Sequence, residues 1–187
     1  MTKNSTETDM RVIKRSGKKE TISFDKILKR IKTLGKSLDL KNVIYGQLAM
    51  KVIDQLKDNI STTDIDELTA EQCAWLSTKH LDYGILASRI IVSNNHKNTP
   101  DTFYDAMYIL YHYTDFHNIH SPLISDELWD IVCNNKEELN NIPNINNDYY
   151  IDYFGFKTLE RAYLMKVNKK IIERPQHMWL RVSIGIH

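Results

Sequence analysis

The sequence predicts a mainly α fold in which a small β-hairpin caps a bundle of four helices, with a further helical segment after it. Three observations carry that expectation. Gly numbers only 6 and Pro only 4 in 187 residues, while aliphatic residues are plentiful, a balance that favours helices over a sandwich. Apolar residues recur at helical spacing through most stretches after residue 25. The clearest alternating stretch, residues 12–24, is short and is interrupted by a Ser16-Gly17 turn.

The elements follow in order. Residues 1–9 are polar and read as a disordered tail. Residues 10–24 read as the hairpin: Val12 and Ile13 lead in, Ser16 and Gly17 turn, and Thr21 to Phe24 return. Asp25 is expected to cap a first helix running to about Leu38, with Ile27, Leu28, Ile31 and Leu34 as its apolar stripe. A second helix spans about Val43 to Lys57, where Ile44, Leu48, Val52 and Leu56 repeat every four residues. Ser61 or Thr62 caps a third, to about Thr78, with Asp64, Asp66 and Glu67 suiting its positive end. A fourth runs from about Asp82 to His96. Asn98 to Pro100 marks a break, so residues 10–99 and 100–187 read as two domains.

Beyond the break, a helix carries Phe103, Met107 and Leu110. His112 to His120 is a loop, and one helix is expected from Glu127 to about Leu139. Residues 140–148 read as an Asn-rich linker. A helix from about Tyr150 to Leu164 follows, then a short hairpin turning at Asn168-Lys169. Pro175 opens a last helix.

Composition narrows the function. Lys plus Arg is 25 against 24 for Asp plus Glu, which argues against a general nucleic-acid binder. Any anion site must come from local clustering. No apolar run approaches a membrane span or a signal-peptide core, so a cytoplasmic protein is expected. Cys73 and Cys133 lie far apart, without CxxC, and are expected to be reduced, buried thiols. Of the seven histidines, His112, His117 and His120 share one loop without a ligand pattern, so no intrinsic metal is expected. His177 and His187 read as structural. Tyr149, Tyr150, Tyr153, Phe154 and Phe156 read as core and interface packing.

The hairpin concentrates cations. Lys14 and Arg15 are adjacent on a strand and face opposite sides, Lys18 and Lys19 sit at the turn, and Lys26 falls in the first turn of a helix. A cation there is unfavourable for the helix alone, and a bound polyphosphate would compensate, because a helix N-terminus offers N–H groups to an anion. A charged turn is also what an ordinary solvated hairpin shows. Thr62 and Asp66 are explained equally by helix capping, and Lys97 by a favourable cation at a helix C-terminus.

The run VIKRSGKKETISFDK at 12–26, with the helical patterns after it, resembles an ATP-cone, a regulatory nucleotide-binding module. YFGFKTLERAY at 153–163 and ERPQHM at 173–178 are similar to the start of the catalytic region of class I ribonucleoside-diphosphate reductase large (alpha) subunits. Together the resemblance covers nearly the whole chain from Met10. It implies a site for ATP or dATP as allosteric effector, with Mg as an optional companion. That site would comprise Lys14, Arg15, Glu20, Thr21, Ile22, Ser23, Phe24, Asp25, Lys26, Thr62, Asp66 and Lys97. The family's nucleotide-sensing Thr and Asp would fall at Thr62 and Asp66.

The same resemblance implies a ten-stranded α/β barrel and the catalytic cysteines beyond His187, so this chain alone is expected to be inactive in ribonucleotide reduction. It implies a radical-generating small subunit as partner and self-association into dimers or larger effector-driven oligomers. It implies neither a membrane nor a direct nucleic-acid partner. Ser16 and Leu81 depart from the Asp and Pro common in the family. The rival reading is a stand-alone nucleotide-sensing regulator or adapter. Its repressor form would need a zinc ribbon, which the absence of CxxC removes.

Overall fold

The computed structural model describes residues 10–186. The expected tail at 1–9 and His187 lie outside the described residues. The chain divides into two compact units after Ile90.

In the first unit, β1 (Arg11–Ile13) pairs antiparallel with β2 (Lys19–Thr21), Val12 opposite Glu20. The turn closes through the Gly17 N–H to the Lys14 carbonyl, and Gly17 sits at φ +79°, a conformation only Gly adopts without strain. A third strand, β3 (Ile60–Ser61), runs parallel to β1 on its other edge, so the sheet order is β2-β1-β3. The sequence predicts only the hairpin. Two residues carry no readable period, so β3 is defined by its pairing with Val12 and Ile13 and by nothing local.

The helices are α1 (Phe24–Gly35), α2 (Tyr45–Ile53), α3 (Thr62–Leu76) and α4 (Leu81–Asn98). Ser23, not Asp25, caps α1, its Oγ accepting the Lys26 N–H at 3.4 Å. Ser in extended backbone one residue before the helix is the better acceptor for that donor. Ser61 caps α3 in the same way, onto the Asp64 N–H. α2 is shorter at both ends than its apolar repeat suggests, and Ile44 at its N-cap is exposed. Ile27 and Ile31 of α1, Leu48 and Val52 of α2, Cys73 of α3 and Leu86 of α4 are buried and supply much of the core.

In the second unit, α5 (Phe103–Tyr111) packs against α6 (Asp126–Asn134) and α7 (Lys136–Asn141) around Phe103, Met107, Leu110, Val132 and Leu139. The single helix expected over 127–139 is broken at Asn135, whose φ of −122° leaves the helical region. The expected linker is correspondingly structured: α7 reaches Asn141 and a 3₁₀ turn spans Ile145–Tyr150. Then come α8 (Tyr153–Ala162), capped by Asp152, and the hairpin β4 (Lys166–Val167) and β5 (Lys170–Ile171). Asn168 and Lys169 both have positive φ, as a two-residue type I′ turn requires. Pro175 opens α9 (Pro175–Ile186), as expected from its fixed φ.

A buried polar network fixes the start of α9. Glu173, with no exposed surface, accepts from Arg181 Nε at 2.5 Å and from the Met165 N–H at 2.9 Å. Arg174 donates to Thr99 Oγ1, the His96 carbonyl and Asp101. Asp148, also fully buried, pairs with His96 Nε2 at 2.7 Å and caps the Gln176 N–H. His177 lies edge-on to Phe103, and burial, with the nearby Arg174 charge, lowers its pKa to about 4. Its structural reading therefore rests on packing. Of the aromatics read as packing, only Phe156 is buried, while Tyr150 and Phe154 are largely exposed. Cys73 is buried as expected. Cys133 is exposed, because it falls on the outer side of α6 from Leu128 and Val132.

Candidate functional site

The site is assembled by the parallel pairing of β1 and β3. Both strands end at the same level, Ile13 opposite Ser61. The chain leaving β1 supplies Lys14 and Arg15, and the chain leaving β3 enters α3 at Thr62. Two sequence segments nearly fifty residues apart thus deliver their polar groups side by side.

Arg15 donates from Nη2 to Asp66 Oδ2 at 3.3 Å and from Nη1 to Thr62 Oγ1 at 3.5 Å. Arg30 of α1 grips the same carboxylate with two prongs, Nε to Oδ1 at 3.3 Å and Nη2 to Oδ2 at 3.2 Å. Asp66 is therefore not a solvated first-turn acid, as a capping role would have it. Its side chain is 8 % exposed, and it organises two guanidinium groups that each keep about a quarter of their surface in solvent. Planar fork geometry suits Arg to such a double grip, and equally to a phosphate.

A second cluster forms on the hairpin. Glu20 of β2 accepts from Lys26 Nζ at 2.8 Å and pairs with Lys14 Nζ at 3.3 Å. The hydrogen bonds from Lys26 and then Lys14 hold its carboxyl below the ordinary value of 4.5. Lys14 thus turns toward Glu20 while its neighbour Arg15 turns toward Asp66; both follow the end of β1 at Ile13 and lie at the turn, not on a strand as expected, so strand alternation does not set their facing. The unfavourable cation at the start of α1 has Glu20 as its counter-charge. Lys26 remains 65 % exposed, so this pair is open to exchange.

Thr21 and Asp25 are exposed, and Ile22, Ser23 and Phe24 are half-buried along the return of the hairpin into α1. Lys97 lies on the last turn of α4 and belongs to the other unit. Arg30 is the functional candidate that sequence reasoning passes over. Its signal is position: it stands four residues after Lys26, on the same face of α1.

Among the described residues no group of three or more His, Cys, Asp or Glu is placed to hold a metal ion, and no helix is long and apolar enough to cross a membrane.

Comparison with known proteins bears on both units. Residues 10–98 match the ATP cone domain, and residues 149–187 match the ribonucleotide reductase all-alpha domain. The ribonucleoside-diphosphate reductase large subunit of Danio rerio is 49% identical over 179 residues, which cover 95% of this chain and 22% of that protein. That of Caenorhabditis elegans is 47% identical over 177 residues, 94% of this chain and 22% of the relative. That of Dictyostelium discoideum is 46% identical over 185 residues, 97% of this chain and 21% of the relative. The chain spans about a fifth of the length of these relatives.

Proposed function

Over the part it spans, the chain belongs to the ribonucleoside-diphosphate reductase large-subunit family, and from that premise we propose that residues 10–99 bind ATP or dATP as an allosteric effector. The observation that carries the proposal is the pair of ion clusters around Glu20 and Asp66. Four cations, Lys14 and Arg15 from the turn after β1 and Lys26 and Arg30 from α1, converge on two carboxylates. A polyphosphate offers several negative oxygens where Glu20 offers one carboxylate. It would draw Lys14 and Lys26 away from Glu20 and add charge-assisted hydrogen bonds.

In this reading each residue has a part. Lys14 and Lys26 hold phosphate oxygens. The hairpin return, Glu20 to Asp25, lies along the base and sugar. Thr62 and Asp66 fix the orientation of Arg15 and stand where a sugar hydroxyl could be read. ATP and dATP differ by that hydroxyl alone, so a switch needs groups that can hydrogen-bond it in one case and not in the other. Lys97 is retained as a further phosphate-binding candidate, and Mg would accompany the nucleotide.

Residues 100–187 would lead into the catalytic portion, whose reaction in the family converts ribonucleoside diphosphates to their deoxy forms. Effector binding would act on that reaction by changing self-association and pairing with the small subunit, a coupling between remote sites. The stand-alone regulator reading has less support, because the similarity continues through the reductase-like segment at 149–187.

Calorimetry with dATP tests the site. Lys14→Ala and Lys26→Ala should each weaken binding by about 1.5–3 kcal/mol, the worth of one charge-assisted hydrogen bond. Equal affinity in both variants and the parent chain would overturn the assignment.

A further inference from the structure

Arg30 belongs to the Asp66 cluster, yet the effector reading above gives it no part of its own. Its place on α1 is fixed by the core: Ile27 and Ile31 are buried, so the turn of helix that carries Arg30 cannot shift without disturbing them. The Arg30 side chain itself stays part-exposed. It stands one turn beyond Lys26, about 6 Å further from the helix N-terminus, and so beyond the lysines that receive phosphate in that reading.

The two arginines hold Asp66 differently. Arg15 follows the end of β1 and divides its nitrogens, Nη2 to Asp66 Oδ2 at 3.3 Å and Nη1 to Thr62 Oγ1 at 3.5 Å. Arg30 meets the carboxylate with one edge of its guanidinium, Nε on Oδ1 at 3.3 Å and Nη2 on Oδ2 at 3.2 Å. Parallel donations to both oxygens fix the plane of a carboxylate, and a single donation to one oxygen does not. A group held from a packed helix is also held more precisely than one held from a turn. Arg30 therefore sets the direction in which Asp66 presents its acceptor positions. An ionised carboxylate accepts at about four positions. With one donation on Oδ1 and two on Oδ2, Oδ1 has the more room for a further hydrogen.

We propose that Arg30 is a positioning residue for effector discrimination, an inference that rests on the reading of ATP or dATP bound beside Thr62 and Asp66. Arg30 does not take a phosphate. It locks the Asp66 carboxylate in the plane from which Oδ1 accepts the sugar hydroxyl that ATP has and dATP lacks. Without the lock, that hydroxyl meets a mobile acceptor and ATP loses affinity, while dATP makes no such bond to lose.

The test is a double-mutant cycle on the whole chain, with ATP and dATP titrated separately by calorimetry. Arg30→Lys keeps the charge but offers no planar fork. It should lower the ratio of ATP to dATP affinity at least about threefold, with most of the loss on ATP. In the Asp66→Asn background a fork has only one acceptor atom to grip, so the same substitution should leave the ratio where it stands. A phosphate-binding role would weaken both nucleotides equally, and a purely structural role would lower the melting temperature with the ratio unchanged. Either result overturns the inference, as does an equal shift of the ratio in both backgrounds. A parent chain that binds neither nucleotide overturns the effector reading and this inference with it. A parent that binds both, with a ratio indifferent to Arg30→Lys, overturns the positioning role alone. If Arg30→Lys does not fold, Arg30→Gln is read against the same outcomes, and failure of both to fold makes Arg30 a structural residue and the proposal wrong.

Discussion

The two units use the same chemistry, carboxylate against guanidinium or ammonium, to different ends. In the second, Glu173 and Asp148 are fully buried and Arg174 nearly so, and they are held by the Met165 N–H, the His96 carbonyl and the Gln176 N–H as well as by the side chains of Arg181, His96, Thr99 and Asp101. In the first, Glu20 and its lysines are part-exposed, and Arg15 and Arg30 keep about a quarter of their surface in water. A buried pair cannot exchange a partner without stranding a charge in low dielectric. A part-exposed pair can, because water covers each intermediate arrangement. Burial therefore separates a lock from a site here, and charge type alone does not.

The largest expected effect is on the lock. Glu173→Ala would strand Arg181 and the Met165 N–H and should destabilise the protein by about 3–5 kcal/mol. Urea denaturation would measure this, with nucleotide affinity below the transition unchanged. A stable variant with altered nucleotide affinity would break the comparison.

Next comes His177. Its folded pKa of about 4 lies below the ordinary 6.5, so the unfolded chain binds the proton first. Stability is then fully present above pH 6.5 and is lost as pH falls from 6.5 toward 4, by about 3 kcal/mol across that window. Thermal melts of the parent and of His177→Gln should diverge in slope over that range. Parallel curves would mean that another group sets the acid limit.

Asp66 stands between lock and site, being buried itself but held by part-exposed partners. Asp66→Asn keeps the shape and one acceptor and should cost about 1–3 kcal/mol. A helix-capping role would predict less, about 0.3–1 kcal/mol. If Asp66 also serves effector reading, the ratio of dATP to ATP affinity should shift, as should dATP-driven self-association seen by sizing. A lowered melting temperature with that ratio intact would assign Asp66 to structure alone.

How much of this was legible follows the range of each interaction. The hairpin, the cap of α3, the Asn168-Lys169 turn and the start of α9 depend on neighbouring residues, and the sequence shows them. Strand β3 depends on Val12 pairing with Ile60, and the Asp66 cluster depends on Arg30 arriving from another helix. Neither leaves a local pattern. The break at Asn135 was hidden for a related reason: apolar periodicity reports which face is inward, not where a helix bends off its axis. The exposure of Cys133 was legible, because it falls off the face that Leu128 and Val132 define, and the usual burial of free Cys misled. Lys14, Arg15, Lys26, Thr62 and Asp66 were identifiable as residues. Their pairing, and the competitor Glu20 that holds two of them, came only with the fold.

The smallest effect is the most direct test of exchange. If Glu20 occupies Lys14 and Lys26 until a polyphosphate replaces it, its charge competes with the ligand. Glu20→Gln removes that charge while keeping length and an acceptor. Because Glu20 is solvated, stability should hardly change, and dATP should bind more tightly by a few-fold, about fivefold at most for a surface pair. The pH dependence has a definite sign. The two lysines hold the Glu20 pKa below 4.5, so the competitor stays charged through ordinary acidic conditions and is neutralised only below that. The advantage of Glu20→Gln should therefore be constant from neutral pH down to about pH 5. If the substitution weakens dATP binding instead, Glu20 is a positioning group for the lysines and not their placeholder. The open clusters of the first unit would then be as preorganised as the buried network of the second.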